Sequence, residues 1–163
     1  MRNPPSNTDN VIDSRDVIER IEELGSERET LVADITAAEE DLADASDDTS
    51  VLKEDAEELS ELGKKVDEVK VLLEEWDANN GEELTALKSL QDECEGYRDW
   101  SRGETLIRGG YFEEYAQDLA EELGMDRDQP WPYSCIDWKK AAEELQQDYS
   151  RVTFDGEDYW IRG

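Results

Sequence analysis

VIERIEELGSERETLVADITAAEEDLADA, residues 17–45, and LKEDAEELSELGKKVDEVKVLLEEW, residues 52–76, decide how this chain is read. In the first, Val17, Ile21, Leu24, Leu31, Ile35, Ala38, Leu42 and Ala45 recur on alternating steps of four and three. Arg28 alone interrupts the series, and its stem can lie along an apolar seam while the guanidinium reaches water. In the second, Leu52, Leu59, Val66 and Leu73 form one row and Leu62, Val69 and Trp76 the other. A mean spacing of about 3.5 residues is the pattern of helices packed side by side in a left-handed supercoil. The five-residue connection, Ser46–Ser50, is too short for a crossover, so the helices are expected to run antiparallel.

Asp13 or Ser14 is the expected cap of the first helix, and Thr49 or Ser50 of the second. A first helix reaching about Ala45 is roughly 50 Å long at 1.5 Å per residue. Asp77-Ala-Asn-Asn-Gly81 predicts a break, because Asn and Gly accept the left-handed conformation that ends helices. A third helix, Glu82 to about Glu95, then carries Leu84, Leu87, Leu90 and Cys94 on one stripe.

Beyond Gly96 the chain changes character. Of 13 aromatic residues only Trp76 lies before this point. Residues 1–96 hold 30 acidic and 9 basic side chains, a net of −21, against −8 for the remainder. Tyr111–Leu123 and Trp138–Tyr149 read as helices, with Gly124 stopping the first and Asp137 capping the second. Val152–Phe154 and Glu157–Ile161 flank an Asp155-Gly156 turn, the strongest local hairpin signal. A lone hairpin is unstable in water, so Thr105–Ile107 is a candidate further strand. The fold class expected is therefore mostly α: a long antiparallel acidic helical hairpin (a coiled coil), then a small α+β domain ending in a β-hairpin. The expected division is a disordered tail over 1–12, the hairpin with its short third helix over 13–96, and an aromatic-rich domain over 97–163. The tail is polar, carries Pro4-Pro5 and lacks the apolar core of an export signal.

Composition excludes more than it identifies. The chain has 163 residues, no histidine and a net charge of −29. Such a charge argues against direct binding to nucleic acid or an anionic membrane and points to basic partners. No apolar run approaches a membrane-spanning length. Cys94 and Cys135 lie far apart outside any CxxC pattern and read as free thiols of a reducing cytosol, Cys135 as buried filling. Without histidine, a phosphate loop, a nucleophile motif or a calcium loop, neither an enzyme, a metal site nor a cofactor is expected. Trp131, Trp138 and Trp160 are read as core in preference to a binding cleft.

The carboxylates carry the functional signal. B-DNA bears one negative charge per roughly 1.7 Å of axis, about 30 over 50 Å, and residues 1–96 present as many carboxylates. A protein that grips DNA through phosphates would meet a similar field here. The candidate contacts are Asp16, Glu19, Glu23, Glu27, Asp34, Asp41 and Asp44 on the first helix. On the second they are Glu54, Glu57, Glu58, Glu61, Asp67 and Glu68. The competing reading is a structural or adaptor coiled coil whose acidity serves only solubility or salt tolerance. A helix surface built for stability would mix signs, whereas this one does not.

The second part resembles the C-terminal region of the ArdA-type antirestriction proteins. The resemblance lies in Tyr111-Phe-Glu-Glu-Tyr-Ala116, Ala120-Glu-Glu-Leu-Gly124, Ile136-Asp-Trp138, Ala142-Glu-Glu-Leu145, Asp148-Tyr149 and the Val152–Trp160 hairpin. It covers about 50 residues, and small proteins of bacterial viruses share this ending. It implies an elongated acidic DNA mimic, usually a homodimer, that blocks type I restriction-modification enzymes in the bacterial cytoplasm. The partner would be the basic DNA-binding channel of a host defence protein; an anti-CRISPR role at an effector complex is the alternative within the class. The ArdA N-terminal and central domains are mixed α/β where this chain has a helical hairpin, so no family contact residue transfers onto it.

Overall fold

The computed structural model describes residues 4–47 and 53–163. The chain is mostly helical with one four-stranded antiparallel sheet. It divides into two compact units: residues 1–20 with 86–163, and residues 21–85. Two long helices, α1 (Ser14–Asp47) and α2 (Lys53–Cys94), contribute to both. The expected boundary at residues 96–97 is thus replaced, because the first turn of α1 and the last turns of α2 pack with the C-terminal elements.

In the unit of residues 21–85 the two helices meet along the expected seam. On α1, Leu24 and Ala38 are buried and Leu31, Ile35, Leu42 and Ala45 half-buried, while the positions between Glu29 and Asp41 that lie off this series are exposed. On α2, Val66 is buried and Leu59, Leu62, Val69, Leu73 and Trp76 are half-buried. Cross-helix pairs run in opposite senses: Arg28 with Asp77 at 2.8 Å, Glu39 with Lys70 at 2.7 Å, Asp41 with Lys65 at 3.6 Å. As the α1 number rises the α2 number falls, so the helices are antiparallel here. Trp76 packs in the seam and its indole N–H donates to Glu27 Oε2 at 3.0 Å, giving the one polar atom of that ring a partner.

The expected break at 77–81 does not occur; α2 runs straight through it. Steps of four and three continue from Leu73 and Trp76 to Asn80, Glu83, Leu87, Leu90 and Cys94, all at least half-buried. A glycine inside a helix costs about 1 kcal/mol relative to alanine, too little to end a helix whose apolar face stays in phase. Asn80 turns its amide back to the Trp76 carbonyl at 3.2 Å, and Asp77 is held by Arg28. The Asp48–Ser50 stretch, with the expected caps Thr49 and Ser50, and the seam residue Leu52 lie outside the described residues.

The other unit centres on the sheet, ordered β1-β2-β4-β3, from β1 (Val11–Asp13), β2 (Thr105–Arg108), β3 (Tyr149–Phe154) and β4 (Glu157–Arg162). The β3–β4 hairpin turns at Asp155 and Gly156, both at positive φ (45° and 81°) as a two-residue hairpin requires. Thr105–Arg108, which follows the single turn α3 (Trp100–Gly103), joins β4 with Leu106 opposite Ile161. Beyond it, Val11–Asp13 pairs with β2. The tail expected to be disordered is therefore tied in from the described start: Tyr159 donates its hydroxyl to the carbonyls of Asp9 (2.7 Å) and Ser6 (3.3 Å). Asn7 reaches Asp155 at 3.1 Å.

One face of the sheet presents Ile107 and Trp160 to α4 (Phe112–Glu122) and α6 (Trp138–Leu145). Phe112 sits at the middle, edge-on to Tyr115, Tyr149 and Trp160 at 5.2–6.0 Å, the geometry aromatic quadrupoles favour. Trp138–Tyr149, expected as one helix, ends at Leu145; a 3₁₀ turn at Gln146–Asp148 releases Tyr149 into β3. The opposite face carries Ile12, Leu106, Val152, Phe154, Tyr159 and Ile161, all buried. Val17, Leu87, Leu90, Cys94 and Trp100, buried in the same unit, supply a second apolar layer.

Ser14 locks the first turn of α1 into this unit. Fully buried, its hydroxyl donates to the Trp100 carbonyl at 2.6 Å and accepts from the Glu104 amide at 2.7 Å. Its own amide donates to the Glu104 carbonyl at 2.9 Å. Ser14→Ala leaves the buried Trp100 carbonyl and the part-buried Glu104 amide short of a partner and is expected to cost about 1–3 kcal/mol. A urea titration followed by circular dichroism checks this; an unchanged midpoint would mean that the loop re-pairs without the hydroxyl.

Candidate functional site

A helix turns 3.6 residues per turn, so residues seven apart lie within about 20° of one line and about 10.5 Å apart. On α2 this puts Glu54, Glu61, Glu68, Glu75 and Glu82 in a single row. Asp67 and Glu74 stand one position before Glu68 and Glu75 and widen it. Glu61, Asp67, Glu68, Glu74, Glu75 and Glu82 are all exposed. The side chain of Glu54 lies outside the described residues.

The expected contact residues separate into groups. Asp16 and Glu19 belong to the sheet-containing unit; Asp16 is half-buried there and Glu19 exposed. Glu23, Glu27, Asp34, Asp41 and Asp44 are exposed on the α1 part of residues 21–85. Of these, Glu27, Asp34 and Asp41 form a seven-residue row beside the seam, where Glu27 accepts from Trp76 and Asp41 faces Lys65. Glu57, Glu58, Glu61, Asp67 and Glu68 are exposed on α2, and Glu61 pairs with Lys64 at 2.8 Å. The candidates therefore do not make one face: the α1 row flanks the seam, whereas the α2 row points outward.

Glu74, Glu75 and Glu82 were missing from the sequence-derived set. The seven-residue period carries the signal for all three; Glu74 and Glu75 precede the expected break at 77–81, and only Glu82 lies beyond it. Glu75 and Glu82 complete the row on the near and far sides of that segment.

Residues 21–85 hold 23 acidic and 5 basic side chains, a net of −18. The four cations whose side chains are described are used across the seam or locally: Arg28 on Asp77, Lys70 on Glu39, Lys65 on Asp41, Lys64 on Glu61. Arg28 holds the Asp77 carboxyl below its usual range through a two-pronged hydrogen bond. Among the described residues no group of three carboxylate or thiol side chains is arranged to hold a metal ion. No described helix is long and apolar enough to cross a membrane.

Two tyrosines of the sheet-containing unit are also shifted. Burial pushes the Tyr159 phenol up to about 12, with nearby Arg108 opposing and Asp9 assisting. Burial, then the hydrogen bond to Tyr115, raises Tyr149. Trp138 and Trp160 are half-buried, whereas Trp131 is exposed. Cys135, expected as buried filling, is exposed as well, because it follows the surface turn of Pro130–Tyr133. Comparison of the chain with protein-family models, curated proteins and solved structures finds no match.

The two thiols make the electrostatics testable. Burial, reinforced by Glu93, pushes Cys94 from the usual 9.0 up to about 12. A folded chain that keeps this thiol protonated gains stability that is complete below pH 9 and is lost as pH rises towards 12. Between pH 9 and 10 the urea midpoint should fall for the native chain and fall less for Cys94→Ala, the raised tyrosines contributing equally to both. At pH 8 a disulfide reagent should label one thiol, and none in Cys135→Ser; fast labelling of both would refute the burial.

Proposed function

We propose that residues 21–85 act as a mimic of duplex DNA and inhibit a DNA-binding defence enzyme of bacteria, a type I restriction-modification enzyme first. The seam, its period and the opposed cross-helix pairs are read together as a left-handed antiparallel coiled coil. The observation that carries the reading is the density and order of its carboxylates. The 27 residues of α1 in this unit span about 40 Å, a length of duplex that bears about 24 phosphates. The unit bears 23 acidic residues. Along α2 the Glu54–Glu82 row repeats every 10.5 Å or so, about three base-pair steps of 3.4 Å.

The mechanism is occupancy of a channel, with no bond made or broken and no cofactor involved. A DNA-binding channel is lined with Lys and Arg that neutralise phosphates, and a rod of carboxylates at the density of DNA condenses cations as DNA does. Carboxylates presented at comparable density take the phosphate positions, and the ions released into bulk drive association. Specificity for sequence is not needed, since phosphate contacts position DNA without reading it. The resemblance of residues 111–160 to the ArdA C-terminal region points to the same role and to action in the bacterial cytoplasm, with a homodimer as the usual assembly.

The test uses a purified type I restriction-modification enzyme bound to a fluorescent duplex. The native chain should displace the duplex at about 50 mM NaCl, and its own Kd for the enzyme, measured without DNA, should rise more than tenfold by about 200 mM. Replacing Glu61, Glu68, Glu75 and Glu82 by glutamine should weaken displacement by about tenfold or more while leaving the helical content intact, because removing like charges relieves repulsion. Displacement from a CRISPR effector complex instead would change the target and keep the mimicry. A duplex that stays bound to both enzymes at a hundredfold excess of protein would leave the acidic surface a solvated one.

A further inference from the structure

The sheet-containing unit has a second feature that its fold does not use. At the end of α4, Leu123 is 82% exposed, and Trp131 is 76% exposed. Both line one open groove of about 530 Å³ together with Ala120, Met125, Gln129 and Pro132. Single exposed apolar residues are ordinary; two large ones lining a common groove mark a contact surface.

The groove is held in shape from both sides. One wall is the end of α4, closed by Gly124 at φ 98°: the Met125 amide donates to the Ala120 carbonyl and the Gly124 amide to the Glu121 carbonyl, each at 2.9 Å. This paired pattern ends a helix with a glycine in the left-handed conformation. The other wall is α5 (Pro130–Tyr133), in which Trp131, preceding Pro132, is extended at φ −111°, ψ 133°, as a residue before proline must be. Arg127 joins the walls: it reaches Asp118 at 3.0 Å, Glu121 at 2.7 Å and the Tyr133 hydroxyl at 3.2 Å. Tyr133 in turn donates to Gln117 at 3.0 Å. A preformed groove loses little freedom when it is filled.

Charge selects the occupant. Residues 113–128 contain seven carboxylates, Asp126 among the groove's own lining, and one cation, Arg127, which is already engaged. We infer that the groove takes a bulky apolar side chain flanked by lysine or arginine, presented by a short segment of a partner protein. A second copy of this chain fits this groove poorly, because pairing groove to groove would bring the two acidic 113–128 segments together. The inference concerns this unit alone and stands whether or not residues 21–85 imitate DNA.

Panning a random peptide library displayed on phage against the full-length chain at 150 mM NaCl tests it. Peptides selected should share an aromatic or aliphatic residue within two positions of Lys or Arg. Synthetic versions should bind Trp131→Ala and Leu123→Ala about tenfold or more weakly, as a central anchor requires. Both side chains are exposed, so circular dichroism of the variants should match the native chain. Asp126→Asn should weaken binding less and lower its salt dependence. Selected peptides without the motif, equal binding to Trp131→Ala, or failure to enrich any peptide would overturn the inference. So would sedimentation showing a dimer that Trp131→Ala dissociates, since the occupant would then be a second copy.

Discussion

Like charge on two adjacent helices has to be held together by a narrow apolar seam, and the rest of residues 21–85 follows from that opposition. The net of −18 over this unit resists any compaction. Spacing keeps the resistance tolerable. Two carboxylates about 10.5 Å apart repel by about 0.4 kcal/mol in water before screening. That separation already exceeds the screening length of about 8 Å at physiological salt. A seven-residue acidic row therefore costs its own helix little, while a partner lying along the row meets every charge with the same sign. Three of the five cations are placed where repulsion is worst, beside the seam: Lys65 and Lys70 reach across to carboxylates on α1, and Arg28 of α1 reaches Asp77 on α2. None of the three stands in the outward row of α2.

The sheet-containing unit solves a different problem, because its elements come from both ends of the sequence. Val11–Asp13 pairs with a strand more than ninety positions later, and Ser14 bonds to Trp100 and Glu104. Long-range pairing of that kind gains nothing from local propensity and depends on the buried layers closing together. The aromatic cluster around Phe112 and the layer of Val17, Leu87, Leu90 and Cys94 supply those layers. Ser14 is the polar exception within them, and all of its hydrogen-bonding groups named above find partners.

Periodicity was legible and long-range pairing was not. The seam residues of α1, the Asp155-Gly156 hairpin and the joining of Thr105–Ile107 could be read because each is a local pattern tied to one geometry. The 77–81 segment misled for a definite reason: Asn79, Asn80 and Gly81 favour termination locally, yet the apolar phase on either side agrees. Phase over several turns outweighs a propensity deficit of about 1 kcal/mol. The same reading hides Glu82 by cutting its row. A three-residue strand after a polar, proline-containing segment has no period to display, so β1 looked like tail. Cys135 looked buried from its aromatic neighbours, whereas Trp131 next to it is itself on the surface.

A surface that works by charge leaves a different trace in sequence from a catalytic site. Catalytic groups need particular atoms at particular distances, which motifs record. A phosphate-like surface needs only carboxylates at a workable pitch on a stiff support, and Asp or Glu at neighbouring positions serve equally. The residues carrying the ArdA resemblance, by contrast, include Phe112, Tyr115, Ala116, Ala142, Leu145, Tyr149 and Trp160, which form the aromatic core. Core positions bear on packing and carry no argument about contacts. The case for mimicry must therefore rest on the outward row of α2, where charge, pitch and exposure coincide on one helix.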